Sequence, residues 1–265
     1  MRAALLALVV SGCALSEAPD LEHRFVTDRI FVPTTTEEAR EQAFDLDGDA
    51  AGRPDNQIGS IIALLDLDLQ TYVDDFLGDG NLILLHSVHA ADFAADDSAS
   101  WQVWLGDTLP SPDFTGGGNF NVSLESPTNA ELDGAVSGGH LLVKADQMEL
   151  TFRLGPGEPF LTLHPLLVRI EAIVTEDGCS SAKIGGAISS WEVNDQIIPA
   201  VASILRTDAD ELRANPLVQN LIAPDVDLLD GSMNLNPNAD GIDDAVSFGL
   251  GMTCTRAVFQ PPLPE

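Results

Sequence analysis

Met148-Glu149-Leu150-Thr151-Phe152-Arg153-Leu154 places an apolar side chain at every second position and a polar one between. Successive side chains of an extended chain point to opposite faces, so this alternation marks a strand with one buried and one solvated face. Just upstream, Leu141-Leu142-Val143 leads into Asp146-Gln147, a pair that reads as the turn of a hairpin. Downstream, Leu161 and Leu163, then Val168, Ile170 and Ala172, keep the same period on either side of Pro165. Leu82 to Leu85, Trp101 to Leu105 and Phe120 to Leu124 read as earlier strands, with Gly116 to Gly118 as a loose loop. Strands at this spacing predict a mainly β (α+β) fold, an antiparallel β-sandwich-like domain with flanking helices.

The helices are marked by a change of period. Ile58, Ile61, Ile62 and Leu65 fall at i, i+3, i+4 and i+7, and Asp55 or Asn56 can cap that helix. Asn194-Asp195 reads as the cap of a second helix through Ile197, Val201, Ile204 and Leu205, with Pro199 in its first turns. Asp208 to Leu221 reads as another short helix, and Ala245 to Met252 as the last strand. The adjacent Gly185 and Gly186 imply a bulge or a close backbone approach.

The chain has 265 residues and a formal charge of −30, with only Lys144 and Lys183 as lysines. A disordered acidic chain lacks core-forming residues, whereas this one is rich in them, so the acids coat a folded surface and line cation sites. Nucleic acid is excluded as a partner, because no basic patch exists to release counterions.

Two acidic loops carry the metal chemistry. In Asn236-Pro237-Asn238-Ala239-Asp240-Gly241-Ile242-Asp243-Asp244, side-chain oxygens stand at relative positions 1, 3, 5 and 9 with glycine at 6. Ca²⁺ takes roughly 6–8 oxygens, and the glycine permits the sharp turn that gathers them. Asn236, Asn238, Asp240 and Asp244 are therefore candidate calcium ligands, with the Ile242 carbonyl as a fifth. Position 12 is Ser247 rather than a bidentate glutamate, which favours structural binding over a signalling switch. The earlier loop sets Asp47, Asp49 and Asp55 in the same register around Gly52, with Ala51 at the fifth position and Asp45 as a substitute oxygen. An Asx-rich turn without metal is the alternative at both loops.

The N-terminus has Arg2, a short apolar run from Ala3 to Val10, and then Ser11-Gly12-Cys13. Such a run is too short to span a bilayer and reads as an export signal. Small residues before a cysteine resemble the lipobox of bacterial lipoproteins, which implies cleavage before Cys13, acylation of that residue and an outer-membrane location. A conventional signal peptide cut near Ala14 is the alternative. The domain reading is a signal peptide over 1–12, a lipidated tether over 13–40 and one β-rich domain over 41–265. Phe25, Ile30, Phe31 and Val32 have the pattern of a first edge strand inside that tether. In an oxidising compartment Cys179 and Cys254 form a disulfide candidate, with two buried thiols as the alternative.

Asp45-Leu-Asp47-Gly-Asp49 with Gly52-Arg-Pro-Asp55-Asn56-Gln-Ile-Gly59, the Gly185-Gly186-Ala-Ile188 element and Asn238-Ala-Asp240-Gly-Ile242-Asp-Asp244-Ala-Val-Ser-Phe-Gly249 together resemble secreted lipoproteins of the myxobacterial type. The loops individually resemble dockerin and thrombospondin type 3 calcium loops. The resemblance covers about residues 41–260 and implies calcium binding in an exported lipoprotein without implying an activity.

His86 and His89 point to opposite faces if Leu82 to Leu85 is a strand, so they make a poor zinc pair. His140 and His164 have no acidic or cysteine partner at diagnostic spacing. Trp101 and Trp104 likewise face opposite ways, leaving one of them for the core and one as a sugar-stacking candidate. No nucleophile elbow, phosphate loop or zinc-protease helix occurs. The expectation is a non-enzymatic, lipid-anchored, calcium-stabilised protein of the cell envelope with a structural or adhesive role. Its partners would be the membrane, through its lipid, and a glycan or envelope protein. The alternatives are a calcium-dependent carbohydrate-binding domain and an envelope hydrolase using carboxylates.

Overall fold

The computed structural model describes residues 21–46, 55–64, 69–153, 155, 159–229, 235 and 243–260. The strands in chain order are β1 (Glu22–Phe31), β2 (Leu84–His89), β3 (Ala95–Leu105), β4 (Gly118–Asn119), β5 (Glu131–Ser137), β6 (His140–Gln147), β7 (Leu150–Phe152), β8 (Leu161–Leu163), β9 (Leu166–Thr175), β10 (Gly178–Ser189) and β11 (Ala245–Val258). Setting aside β4, which runs parallel to the end of β11, and the separate β7–β8 hairpin, eight strands pair antiparallel in chain order. The last then pairs back onto the first, with Phe25 opposite Arg256 and Phe31 opposite Gly251.

The fold is therefore an up-and-down antiparallel barrel and not a sandwich. Alternation specifies which face of a strand is buried, and an inward face is the same pattern in either architecture. Closure depends on β1, which lies inside the segment read as a tether. Its pairing with both β2 and β11 makes it an interior strand with no free edge. A second correction concerns the hairpin at Asp146-Gln147. Both residues belong to β6, whose hairpin partner is β5 across Gly138-Gly139, a turn with both glycines at positive φ. Of the Met148–Leu154 alternation, whose last residue lies outside the described residues, Leu150–Phe152 is strand, paired with β8.

The barrel interior holds Phe25, Trp101, Leu132, Leu141 and Ile170, all fully buried, with the Cys179–Cys254 disulfide among them. Each such apolar side chain contributes about 1.5–3 kcal/mol on leaving water. The bridge spans a sequence separation of 75 with a Cα–Cα distance of 4.8 Å. A loop of that length restricts the unfolded chain by about 4 kcal/mol. Outward positions on β6 and β9 carry Lys144, Asp146, Arg169 and Glu171. Charge outside and hydrocarbon inside is the reverse of a barrel that faces lipid. No described helix is long and apolar enough to cross a membrane.

Among the described residues, seven α-helices lie around the barrel: α1 (Thr36–Glu41), α2 (Gln57–Leu64), α3 (Leu69–Gly78), α4 (Ser190–Glu192), α5 (Ile198–Leu205), α6 (Ala209–Ala214) and α7 (Pro216–Leu221). A π-helical turn, Val193–Ile197, joins α4 to α5. The helix expected to start at Asn194-Asp195 begins earlier, capped by Ser189. The π turn precedes Pro199, whose missing N–H would leave an ordinary helical carbonyl unpaired. Asp208 caps α6, and an extended Asn215 separates it from α7, which Pro216 opens, so the single expected helix is two.

Contact between α1, α2 and the barrel depends on glycine. A Cβ at Gly249 would sit 2.3 Å from the Gln42 carbonyl oxygen, and one at Gly185 would sit 2.8 Å from the Phe44 ring. The β9–β10 register also shifts between Gly185 and Ala187, so the Gly-Gly pair supplies both a bulge and a close approach.

Candidate functional site

Inward alternation on a closed sheet aims side chains at one axis, and at one pole they do not meet. Ile30, Leu84, Ile184, Phe248 and Leu250 are only half-buried there and line an apolar cavity of about 200 Å³. Leu150, Thr151 and Phe152 of β7 line it as well, held by the pairing of β7 with β8 and by a 3.0 Å hydrogen bond between the Thr151 and Thr162 hydroxyls. An eight-stranded barrel has an interior just wide enough for side chains or for one small ligand.

Among the described residues, His86 is the one titratable side chain on the cavity wall. The Trp101 indole N–H donates to its Nδ1 at 3.0 Å, and its Nε2 lies 2.7 Å from the Thr27 hydroxyl. An indole nitrogen can only donate, so Nδ1 is the unprotonated nitrogen and Nε2–H donates to Thr27. Burial pushes the His86 pKa down to about 3, which leaves a neutral imidazole with both nitrogens engaged. The described wall of the cavity is therefore apolar and uncharged.

The acidic loops are described only at their flanks. Asp47, Asp49, Asn236, Asn238, Asp240 and Ile242 lie outside the described residues, as does Cys13. Asp55 accepts from the Leu46 N–H at 2.8 Å, and its own N–H donates to the Phe44 carbonyl, closing the base of the first loop. Asp45 uses its carbonyl to receive Arg169 at 2.8 Å. Both carboxylate oxygens of Asp244 accept backbone N–H groups, from Leu228 at 3.0 Å and Leu229 at 2.9 Å. No cluster of three or more His, Cys, Asp or Glu suited to a metal occurs among the described residues.

The two loops, far apart in sequence, meet through their flanks. Asn56 caps α2 through the Gly59 N–H at 2.8 Å and donates to the Gly249 carbonyl at 3.0 Å. Ser247, fully buried, accepts from the Gln57 N–H at 2.8 Å and gives its hydroxyl hydrogen to Asp225. Burial raises the Asp225 pKa above its ordinary value, and the Ser247 hydrogen bonds partly offset that rise. Phe44 and Leu46 share one apolar cluster with Val226, Leu228, Leu229 and Ala245. The twelfth position of the closing loop thus tethers helix α2 to the last strand.

Trp101 is wholly buried and Trp104 is half-buried, donating to Ser87 at 3.2 Å, so neither presents an open indole face. The exposed tryptophan is Trp191, at 56%. It borders a second concavity of about 200 Å³ with Gln147, His164, Leu166, Glu192 and Leu229. There His164 does have an acidic partner: its ring Nδ1 lies 3.0 Å from Glu192, whose side chain is almost fully buried. The pairing spans 28 residues and no local spacing shows it. The available signal was Ser189-Ser190-Trp191-Glu192, a capping-box pattern that places a glutamate at the mouth of a helix.

Comparison with protein-family models, with curated proteins and with solved structures finds no match to this chain.

Proposed function

We propose that this protein is a lipid-anchored, non-enzymatic binding barrel of the cell envelope that takes a small apolar molecule into its axial cavity. The observation that carries the reading is the set of half-buried apolar side chains, Ile30, Leu84, Ile184, Phe248 and Leu250, around about 200 Å³ of space. A dry apolar cavity of about 150 Å³ is large enough to hold benzene, so the occupant is a compact hydrocarbon or a short acyl segment of roughly ten heavy atoms. The lipobox-like Ser11-Gly12-Cys13 supports the anchor. A tether from Cys13 joins β1 at Glu22, while Ile30 at the cavity is at the other end of the same strand, about 30 Å away. The mouth then faces away from the bilayer and draws its ligand from the aqueous side.

Calcium in the closing loop belongs to the same proposal as a structural ion. Its support is the spacing of Asn236, Asn238, Asp240 and Asp244, together with the part Asp244 plays in holding Leu228 and Leu229.

The test is titration of the purified protein with a small fluorescent hydrocarbon such as 1-aminonaphthalene. Burial of roughly 200–250 Å² of apolar probe surface corresponds to a dissociation constant of about 10–100 μM. Leu250→Trp, which fills the cavity, should abolish saturable binding while leaving the far-UV spectrum intact. Absence of saturable binding by the unmodified protein would reject the reading.

A further inference from the structure

We propose that the concavity between the β8–β9 corner and the start of α4 is a binding site for a neutral saccharide. Three features converge there. Trp191 is 56% exposed although it lies in the first turn of a helix capped by Ser189. An indole held in water on the rim of a concavity offers a flat face for the C–H surface of a sugar ring. Leu166 and Leu229, both buried, line the same concavity with apolar surface.

The polar partners are fixed before any ligand arrives. Glu192 Oε1 accepts from the His164 backbone N–H at 2.9 Å and lies 3.0 Å from its Nδ1, while Ser189 donates to Oε2 at 3.2 Å. A carboxylate only accepts, so Nδ1 carries the hydrogen, which leaves Nε2 to hydrogen-bond a hydroxyl. The exposed Gln147, which also lines the concavity, has an amide that offers both a donor and an acceptor. An aromatic face, an imidazole nitrogen and an amide, spread over about 200 Å³, match one pyranose with its apolar face and hydroxyl rim.

The charge balance selects within that class. A formal −30 on the chain and a carboxylate in the wall disfavour uronic or sialic acids. Among the described lining residues the one carboxylate is Glu192, and both of its oxygens are engaged by His164 and Ser189.

The experiment is calorimetric titration of the full chain with maltotriose, cellotriose, chitotriose and, as the charged control, trigalacturonate. Expected is saturable binding of at least one neutral trisaccharide, weakened about tenfold by Trp191→Ala and reduced by His164→Ala. The bound sugar should also shield tryptophan fluorescence from acrylamide. Leu250→Trp, in the barrel cavity, should leave this binding unchanged. The proposal is overturned if no neutral sugar binds at up to about 10 mM, if only the charged control binds, or if Trp191→Ala binds as well as the unmodified protein.

Discussion

Glu192 Oε1 meets His164 twice, accepting from its backbone N–H at 2.9 Å and lying 3.0 Å from its ring Nδ1. This residue also sits at the N-terminus of α4, where its N–H donates to the Ser189 hydroxyl at 3.3 Å. One buried carboxylate thus fastens the exit of β8 to the entry of a helix. Glu192→Ala leaves those donors without an acceptor and should cost about 2–4 kcal/mol in urea unfolding. Glu192→Gln keeps a carbonyl acceptor and should cost less than half of that.

His86 makes the barrel sensitive to acid. Its folded pKa, about 3, lies below the ordinary 6.5, so the unfolded chain takes up a proton that the folded chain refuses. The contribution is complete above pH 6.5 and declines as pH falls toward 3, by about 1.4 kcal/mol per unit. Between pH 7 and pH 5 the loss from this group is about 2 kcal/mol. Asp225 works in the opposite sense: its raised pKa means that the folded state gains on protonation, over the interval from that raised value down to 3.8. Stability of His86→Gln measured at both pH values should therefore fall about 2 kcal/mol less than that of the unmodified protein.

Gly249 tests the seam between the barrel and α1. An added Cβ would lie 2.3 Å from the Gln42 carbonyl oxygen and 3.0 Å from the Asn56 amide nitrogen. The nearer atom is backbone and cannot swing away, so Gly249→Ala should destabilise by about 2–3 kcal/mol. Gly117→Ala, where no atom lies within 4 Å, tests a different effect, the strain of placing a side chain at φ +96. It should cost about 1–2 kcal/mol. Denaturant midpoints compare the two.

Calcium and Asp244 can be separated. If the closing loop holds calcium, saturation at 100 times its dissociation constant adds about 2.7 kcal/mol, which a chelator removes. Asp240→Ala should erase that increment and do little in chelator. Asp244→Ala should cost about 2 kcal/mol even in chelator, because Leu228 and Leu229 lose their acceptor. Identical melting curves with calcium and with chelator would dismiss the structural ion.

The strands were legible because a two-residue period is a local property, visible in Leu161 to Ala172 without knowing any partner. The barrel was not, since pairing Phe25 with Arg256 is a relation between chain ends that no window contains. The same limit applied to His164 and Glu192, which become neighbours only where β10 and the β8–β9 corner meet. Trp191 was hidden for another reason. A tryptophan between a serine and a glutamate has no periodic signature, and its exposure follows from a helix start fixed by Ser189 rather than by Asn194. The acidic loops showed the reverse: conspicuous in sequence, they are described in the structure through their flanks, Asp45, Asp55 and Asp244.

The seam between β1 and β11 also dictates when the molecule can finish folding. Arg24 donates to the carbonyl of Phe259, 235 residues later, so a chain emerging from its N-terminus carries β1 with one edge open until β11 has been made. Contacts of such separation form slowly, and an open meander exposes two adhesive edges in the meantime. A nonsense mutation anywhere before Ala245 would therefore yield a sticky, unclosed sheet rather than a smaller working protein.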